Sequence, residues 1–390
     1  MKKGWTLVPL KEVCLDFIVP QRDKPTAFDG DIPWCRIEDI EGRYLNGSRS
    51  GQKVTKELAD KMNMHLCPKG TVISACSASI GNQAITTTDC YTNQTFIGLV
   101  VNPDLLYNVY LYFFLESQTK SLLSLGQGAT IKYISKDKYK SMLIPLPSIG
   151  EQQRIVSRLD SAFAHIDELK ANAEKQLSEA RALFQKALTK AMEPKEGWAE
   201  KRIDEVCSIA RGGSPRPIKD YITNDPNGLN WIKIGDTDMG GKYIYSTKEK
   251  IKPEGLKKSR WVEEDEFLLS NPMSFGRPYI LKTNGCIHDG WLVLRDYQKY
   301  LDIDFFYYVL SSEFVQKQFR TKAQGSTVSN LNTDRVASVT IPVPSLSEQH
   351  RIVSRLDSLS AHVRELEEVL QKTIAECDAL KQALLRKVFE

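Results

Sequence analysis

Apolar positions along the 390 residues follow two different rhythms. Residues 149–193 and 346–390 place apolar side chains every three to four positions, the period of a helix with one buried stripe. In the first, Ile155, Leu159, Ala162, Ile166, Leu169 and Ala173 alternate steps of four and three, and Leu177, Ala180, Phe184 and Ala187 continue after one extra residue. In the second, Ile352, Leu356, Leu359, Val363, Leu366 and Leu370 do the same, and the pattern resumes at Ile374 and Cys377. Such an extra residue is a stutter, which unwinds a supercoil locally without ending its seam. It falls at Leu177 and at Ile374, 197 residues apart. Two stripes with matching faults predict helices that pack on each other as a coiled coil. An antiparallel pair, with a pseudo-twofold relation between the halves, needs no long return connection. Phe163, Leu183 and Leu385 fall outside these stripes and are expected on an exposed docking face.

Each helical stretch has a defined start. Pro145-Leu146-Pro147-Ser148 precedes the first and Pro342-Val343-Pro344-Ser345 the second. Proline cannot continue a helix backwards, and Ser followed three residues later by Glu (Glu151, Glu348) has capping-box spacing. About 44 residues at 1.5 Å each give roughly 65 Å of helix.

The rest of the chain is written twice as well. Glu151-Gln152 and Arg154 to Ser161 return as Glu348-Gln349 and Arg351 to Ser358, Gln127-Gly128 as Gln324-Gly325, and Trp34 as Trp231, all offset by 197. Gly4-Trp5 and Glu12-Val13-Cys14 match Gly197-Trp198 and Glu205-Val206-Cys207 at a slightly different offset, as loop insertions produce. Residues 1–148 and 194–345 are rich in Gly, Pro and aromatic residues, with short strand-like runs. These are Trp34 to Ile37, Gly70 to Ser74 and Phe96 to Val101, then Trp231 to Ile234, Phe267 to Leu269 and Trp291 to Leu294. Each also has one aromatic helical stretch, Tyr107 to Ser117 and Phe305 to Phe314. The predicted fold is α+β: two similar α/β globules (1–148 and 194–345), each followed by a long helix (149–193 and 346–390).

Composition removes several chemistries. No two of the eight cysteines lie within four residues of each other, and the five histidines have no metal-ligand spacing, so no metal site is expected. There is no Gly-x-x-x-x-Gly-Lys-Ser/Thr loop and no Gly-x-Ser-x-Gly elbow. Asn271-Pro272-Met273-Ser274-Phe275 is a distorted form of the Asn-Pro-Pro-Tyr/Phe tetrad of amino-methyltransferases; without a glycine-rich cofactor loop it reads as a turn. Asp236/Asp238 and Glu263/Glu264 lack an obvious counterpart in the first half and read as solvated charge. No run of about 18 apolar residues and no signal-peptide core are present, so a cytoplasmic protein is expected.

The two Ile-Pro-x-Pro-Ser…Glu-Gln segments, each closing a globule and opening a long helix, are similar to those of the specificity subunits of type I restriction–modification enzymes. The Trp34 and Trp231 strands, Gly212-Gly213-Ser214-Pro215 and the Gln-Gly segments belong to the same likeness, which covers the whole chain. The first globule has no Gly-Gly-Ser-Pro counterpart; Pro20 to Pro25 occupies that region. The resemblance implies a non-catalytic protein whose two target-recognition domains each read half of a split, asymmetric site in double-stranded DNA. The helices would act as spacer and as docking surface for two modification (methyltransferase) subunits. S-adenosylmethionine, ATP and Mg would be bound by those and by restriction subunits, not by this chain. A scaffold whose globules bind protein is the competing reading from another class; an enzyme acting alone is disfavoured by the missing cofactor loop.

Net charge is +4, with +3 on the first globule, +2 on the second and −1 on the helices together. Base reading needs Arg, Lys, Asn, Gln or hydroxyl side chains on loops. The candidates are Arg22, Lys24, Arg36, Arg43, Gln127, Thr130 and Lys132 in the first globule. In the second they are Arg211, Ser214, Arg216, Lys219, Lys233, Lys242, Arg277, Gln324, Ser326 and Thr327.

Overall fold

A computed structural model describes residues 4–20, 23–77, 79–125, 133–237, 241–271, 276–323 and 331–389. The chain forms two compact units, residues 1–174 with 371–390 and residues 175–370. Each unit holds one globule, the beginning of the long helix that follows it and the last part of the other long helix.

In the first unit, a five-stranded sheet runs in the order Cys14–Ile18, Phe96–Val101, Val72–Ala75, Gln83–Thr86 and Tyr44–Leu45, the last pair parallel and the others antiparallel. A three-stranded sheet (Lys53–Val54, Ile32–Cys35, Tyr91–Thr92) accompanies it. The ends of the globule meet where Thr6–Pro9 pairs antiparallel with Leu143–Leu146. The second unit repeats the plan. Its main sheet orders Ser208–Arg211, Trp291–Arg295, Phe267–Ser270, Pro278–Leu281 and Tyr243–Ile244, and Ala199–Arg202 pairs with Thr340–Val343. The aromatic helices are Asn108–Ser117 and Ile303–Ser311. The second stops earlier than its sequence suggests, because Ser312 is extended and caps the next helix, Glu313–Ala323, which takes Phe314.

The long helices span Ile149–Met192 and Leu346–Phe389. The Ser148 and Ser345 hydroxyls accept from the N–H groups of Glu151 and Glu348. The two glutamates turn outward to Arg154 and Arg351, each at 2.8 Å, instead of closing a reciprocal capping box. Within the first unit Lys170 pairs with Asp378 at 2.8 Å and Asp167 with Lys381. Within the second, Arg181 pairs with Glu367 at 2.7 Å. In the first unit numbers rise on one helix as they fall on the other, and in the second Leu188 shares a core with Ile352, Val353 and Leu356 while Arg181 lies beside Glu367, so the pairing is antiparallel in each unit.

The buried stripe differs from the one read from leucine spacing. Leu169 is 53% and Leu366 42% exposed. The stripe keeps Ile166, Ala173, Leu177, Ala180 and Phe184 and passes one residue further on at Phe163, Lys170 and Leu188. On the other helix it passes through Ser360, Val363, Glu367, Leu370, Ile374, Cys377, Lys381 and Leu385; all sixteen are buried or half-buried. Lys170, Glu367 and Lys381 fit because a long charged side chain can lay its stem along the seam and send its head to water or to a partner.

Phe163 and Leu385 are therefore not docking surface. The Phe163 ring stands edge-on to Phe113 at 5.5 Å, and Leu385 is fully buried in the core of the first globule. That core also takes Phe389, 5.1 Å from Tyr110 and 5.7 Å from Phe114. The core of the second globule takes Leu188 and Met192 from the first helix, beside Ile352, Val353 and Leu356 from the second. Each globule is thus completed by both helices. Ile155, Leu159 and Ile166 likewise bury into the first globule's core. Among the described residues no helix is long and apolar enough to cross a membrane.

Candidate nucleic-acid interface

A basic loop is built in the same way on both globules. Strand Ile32–Cys35 delivers Arg36, after which the chain turns through Ile37–Asp39. The Asp39 carboxylate, 3% exposed, accepts from the backbone N–H of Arg36 at 2.7 Å and from that of Arg49 at 2.8 Å. In the second globule Asp236 accepts from the N–H of Lys233 at 2.8 Å and of Lys248 at 3.2 Å. One carboxylate thus ties both ends of each loop, and charge-assisted bonds of this kind are among the stronger ones. Asp236 is a loop tie with a counterpart, not the solvated charge its sequence context suggests; Asp238 lies outside the described residues. The readable signal was the shared spacing Trp34…Arg36…Asp39 and Trp231…Lys233…Asp236.

The tied residues are basic on both globules. The Arg36 guanidinium lies 5.9 Å from the Trp34 ring and pairs with Glu38 at 2.9 Å, while its buried Nε has no hydrogen-bond partner. Lys233 pairs with Glu249 at 2.7 Å and Arg49 with Glu41 at 3.2 Å. The Lys248 ammonium donates to the Gly235 carbonyl at 2.9 Å. Surface pairs of this type are worth about 0–1 kcal/mol, so a phosphate can replace the acid at little cost.

The second globule adds a glycine loop. A Cβ at Gly212 would stand 2.2 Å from the His288 carbonyl oxygen, and one at Gly213 2.8 Å from that of Lys258. Only glycine admits this approach. It brings the Ser214 hydroxyl to donate to Asp289 Oδ1 at 2.6 Å, which holds that carboxyl below its usual range. Arg211 Nε donates to the Asp289 carbonyl at 3.0 Å, and exposed Arg216 sits 3.5 Å from its carboxylate. Lys219 is exposed on the same loop. In the first globule, Lys24 lies over the Phe28 ring at 5.5 Å in the region without the glycine motif.

Three other candidates are placed differently. Arg43 and Lys242 are not loop-surface residues; both sit where a globule meets its long helix. Arg43 pairs with Asp160 of the first long helix and lies 4.5 Å from the Phe113 ring. Lys242, 8% exposed, pairs with Asp304 and faces Tyr307 and Tyr308 at 5.0 and 5.2 Å. The Tyr308 hydroxyl donates to Asp357 of the second long helix at 2.5 Å. These are joints. Arg277 is half-buried against Tyr279 at 5.7 Å. Arg22, Gln127, Thr130, Lys132, Gln324, Ser326 and Thr327 lie outside the described residues.

The long helices carry a second apolar row beside the seam. Leu169 and Leu183 each precede a seam residue on the first helix, as Leu366 and Leu380 do on the second. In an antiparallel pair such positions line the same flank of both helices, while Asp167, Arg181 and Asp378 line the other. Leu169 with Leu380 occupies this flank in the first unit, and Leu183 with Leu366 in the second; all four are between 42% and 57% exposed. Apolar rows at three positions per heptad are wider than a two-helix seam requires.

No group of three or more His, Cys, Asp and Glu side chains that could hold a metal occurs among the described residues. Burial pushes the thiols of Cys14, Cys67 and Cys207 up to about 12, so these cysteines are not nucleophiles.

Comparison with known proteins places this architecture. The family model for the type I restriction modification DNA specificity domain matches residues 2–179 and again residues 195–376. The EcoDI type I restriction enzyme specificity subunit of Escherichia coli is 26% identical over 317 residues, 74% of this chain and 71% of that protein. A solved structure concerned with complex assembly and conformational transition of the type I R-M system superposes with a TM-score of 0.82 at 24% identity, covering 100% of this chain and 98% of that one. The HsdS subunit of Thermoanaerobacter tengcongensis gives 0.61 at 23% identity, covering 100% and 97%. Two successive matches, one per globule and its helix, mean that the chain belongs to the specificity subunits of type I restriction–modification systems, the subunits that recognise DNA.

Proposed function

We propose that each globule reads one half of a bipartite, asymmetric DNA target, and that the long helices fix the interval between the halves and dock two methyltransferase subunits. The observation that carries this reading is the repeated aspartate-tied loop, which presents Arg36 and Arg49 on one globule and Lys233 and Lys248 on the other. These cations suit phosphate contact, which positions a protein on DNA. The residues that differ between the globules, such as Ser214 and Arg216 in the glycine loop, suit base discrimination. The exposed leucine flank suits a partner helix, read as anchors three and four residues apart.

Bond-making belongs to the partners in this reading. The chain supplies address and geometry, and S-adenosylmethionine, ATP and Mg are bound by methyltransferase and restriction subunits in the cytoplasm. Replacing residues 1–148 with the matching segment of a relative, then mapping adenine methylation across a genome, is expected to change one half of the methylated sequence and leave the other intact. A change in both halves or in neither would overturn the two-reader model. Purified chain mixed with S-adenosylmethionine and target DNA is expected to transfer no methyl group without partner subunits.

A further inference from the structure

Among the described residues, two of the three ion pairs between the long helices put the cation on the first helix and the anion on the second; the third, Asp167 with Lys381, runs the other way. Lys170 donates to both carboxylate oxygens of Asp378 at 2.8 Å in the first unit, and Arg181 donates to Glu367 at 2.7 Å in the second. The repeat of 197 residues carries position 170 onto 367 and position 181 onto 378. The two contacts are therefore the same contact seen from either half, with both cations on the first helix and both anions on the second. A third pair, Asp167 with Lys381, carries onto Phe184 and Arg364.

We infer that these charges make the long helices a heterotypic pair, each accepting the other and rejecting a second copy of itself. Were two first helices to pair in the observed register, Lys170 of each would face Arg181 of the other. Two second helices would set Glu367 against Asp378 and Arg364 against Lys381, each contact occurring twice. Lys170 and Glu367 lie in the seam with side chains 30% and 24% exposed, while Asp378 and Arg181 opposite are 61% and 56% exposed, so each contact is modest and salt-sensitive and the discrimination comes from the contacts acting together. The apolar part of the seam does not discriminate. Ala173, Leu177 and Ala180 on one helix, like Leu370, Ile374 and Cys377 on the other, offer apolar surface to either partner. An exchange of second helices between two whole molecules would keep every attractive pair. The pattern therefore distinguishes the halves of the chain rather than the molecules.

The test uses the whole chain with a protease site between Glu193 and Trp198, cut after folding. The two halves are denatured, refolded together at equal concentration, and their pairings read by native mass spectrometry. The mixed pair is expected to exceed random pairing by on the order of tenfold, which corresponds to about 1.4 kcal/mol, and the excess is expected to shrink in 1 M salt. Arg181→Glu gives Lys170 of one copy an anion in the other, and Asp378→Lys gives Glu367 a cation. The chain carrying both is expected to favour same-half pairs. Random pairing of the unmodified halves, or an unchanged mixed-pair excess in the doubly substituted chain, would overturn the inference. A measurement on the uncut chain needs no refolding. Arg181→Glu is expected to lower its melting temperature and Arg181→Glu with Glu367→Arg to restore it; no shift in either also overturns the inference.

Discussion

Gln349 repeats, bond for bond, what Gln152 does in the first globule. Both are completely buried. Gln152 Oε1 accepts from the Tyr107 N–H at 2.8 Å, and its Nε2 donates to the carbonyls of Leu105 and Pro147, both at 2.9 Å. Gln349 does the same with the N–H of Asp302 and the carbonyls of Tyr300 and Pro344. One amide thus ties the first turn of a long helix to the residues just before the aromatic helix and to the Pro-x-Pro that precedes it. The glutamine of the Glu-Gln signature is in this respect a lock between helix and globule. Gln152→Leu or Gln349→Leu fills the space but strands a donor and two acceptors, at about 1–3 kcal/mol for each group left buried. Hydrogen exchange at the Tyr107 or Asp302 amide is expected to speed up in the matching variant only. Unchanged exchange would show that the lock does not hold.

The loop ties give a prediction of unusual sign. Asp39→Ala removes a negative charge from a surface proposed to face DNA, which by charge alone would tighten binding. The tie argument expects the reverse: Arg36 and Arg49 lose their common anchor, and DNA affinity of the assembled complex falls. Asp236→Ala is expected to act likewise on the other globule. Arg49→Ala, which spares the tie, is expected to weaken binding across sequences and lower the salt slope by about one. A rise in affinity for Asp39→Ala, in a filter-binding or fluorescence titration, would remove the tie from the account.

The start of each long helix was legible in the sequence because Pro-x-Pro and a capping Ser act locally. The mutual packing of the helices was legible through the matched stutter, and its antiparallel direction through the short connections. Most of the seam was legible too, through Ile166, Ala173, Leu177, Ala180, Val363, Leu370 and Ile374, but it was misplaced by one residue at Leu169 and Leu366. Leu169 and Leu366 were the more apolar choice, and nothing local reveals that Lys170 and Glu367 occupy the seam with their heads paired across it. The docking of Phe163, Leu385 and Phe389 into the first globule was hidden for another reason: it joins residues far apart in the chain, Phe163 to Phe113 and Phe389 to Tyr110, beyond any periodicity. Asp39 was overlooked because its role is to accept backbone N–H groups, which no side-chain pattern advertises.

Those core contacts separate folding from docking among the helix residues. Phe163→Ala is expected to cost about 3–5 kcal/mol and Leu385→Ala about 2–5 kcal/mol, since both leave cavities in a packed core. Leu183→Ala, at an exposed position, is expected to stay within about 0.5 kcal/mol. Denaturant melts of the three variants check the order.

His288 gives the second unit a pH dependence. Both ring nitrogens face backbone N–H groups, those of Ile234 at 3.2 Å and Gly290 at 2.9 Å, so an imidazolium, which donates from both nitrogens, does not fit. Burial lowers its pKa below the ordinary 6.5, against the pull of Asp289 and Asp236 and with the push of Lys233. A histidine with a lowered folded value contributes fully above about pH 6.5, where the unfolded chain is also neutral, and its contribution is lost as pH falls through the folded value. Unfolding of the chain is thus expected to be easier at pH 5.5 than at 7.5, and His288→Gln to flatten that difference. An equal pH response in both proteins would assign the dependence elsewhere.

The exposed leucine flank is the remaining surface whose role can be isolated. Leu169 and Leu380 in the first unit, and Leu183 and Leu366 in the second, bury no core of their own and stand on the flank opposite the ion pairs. Leu169→Lys with Leu380→Lys keeps the seam and the ion pairs of the first unit, so the melting temperature is expected to move little. Capture of the methyltransferase subunit is expected to drop from two per chain to one, because the second unit keeps its own pair. Adding Leu183→Lys and Leu366→Lys is expected to abolish capture while the free chain still folds. Light scattering on mixtures with purified methyltransferase subunit reads the stoichiometry. Retention of two subunits after all four substitutions would move the docking surface off the helices, whereas loss of both after the first two would mean that the two docking sites depend on each other.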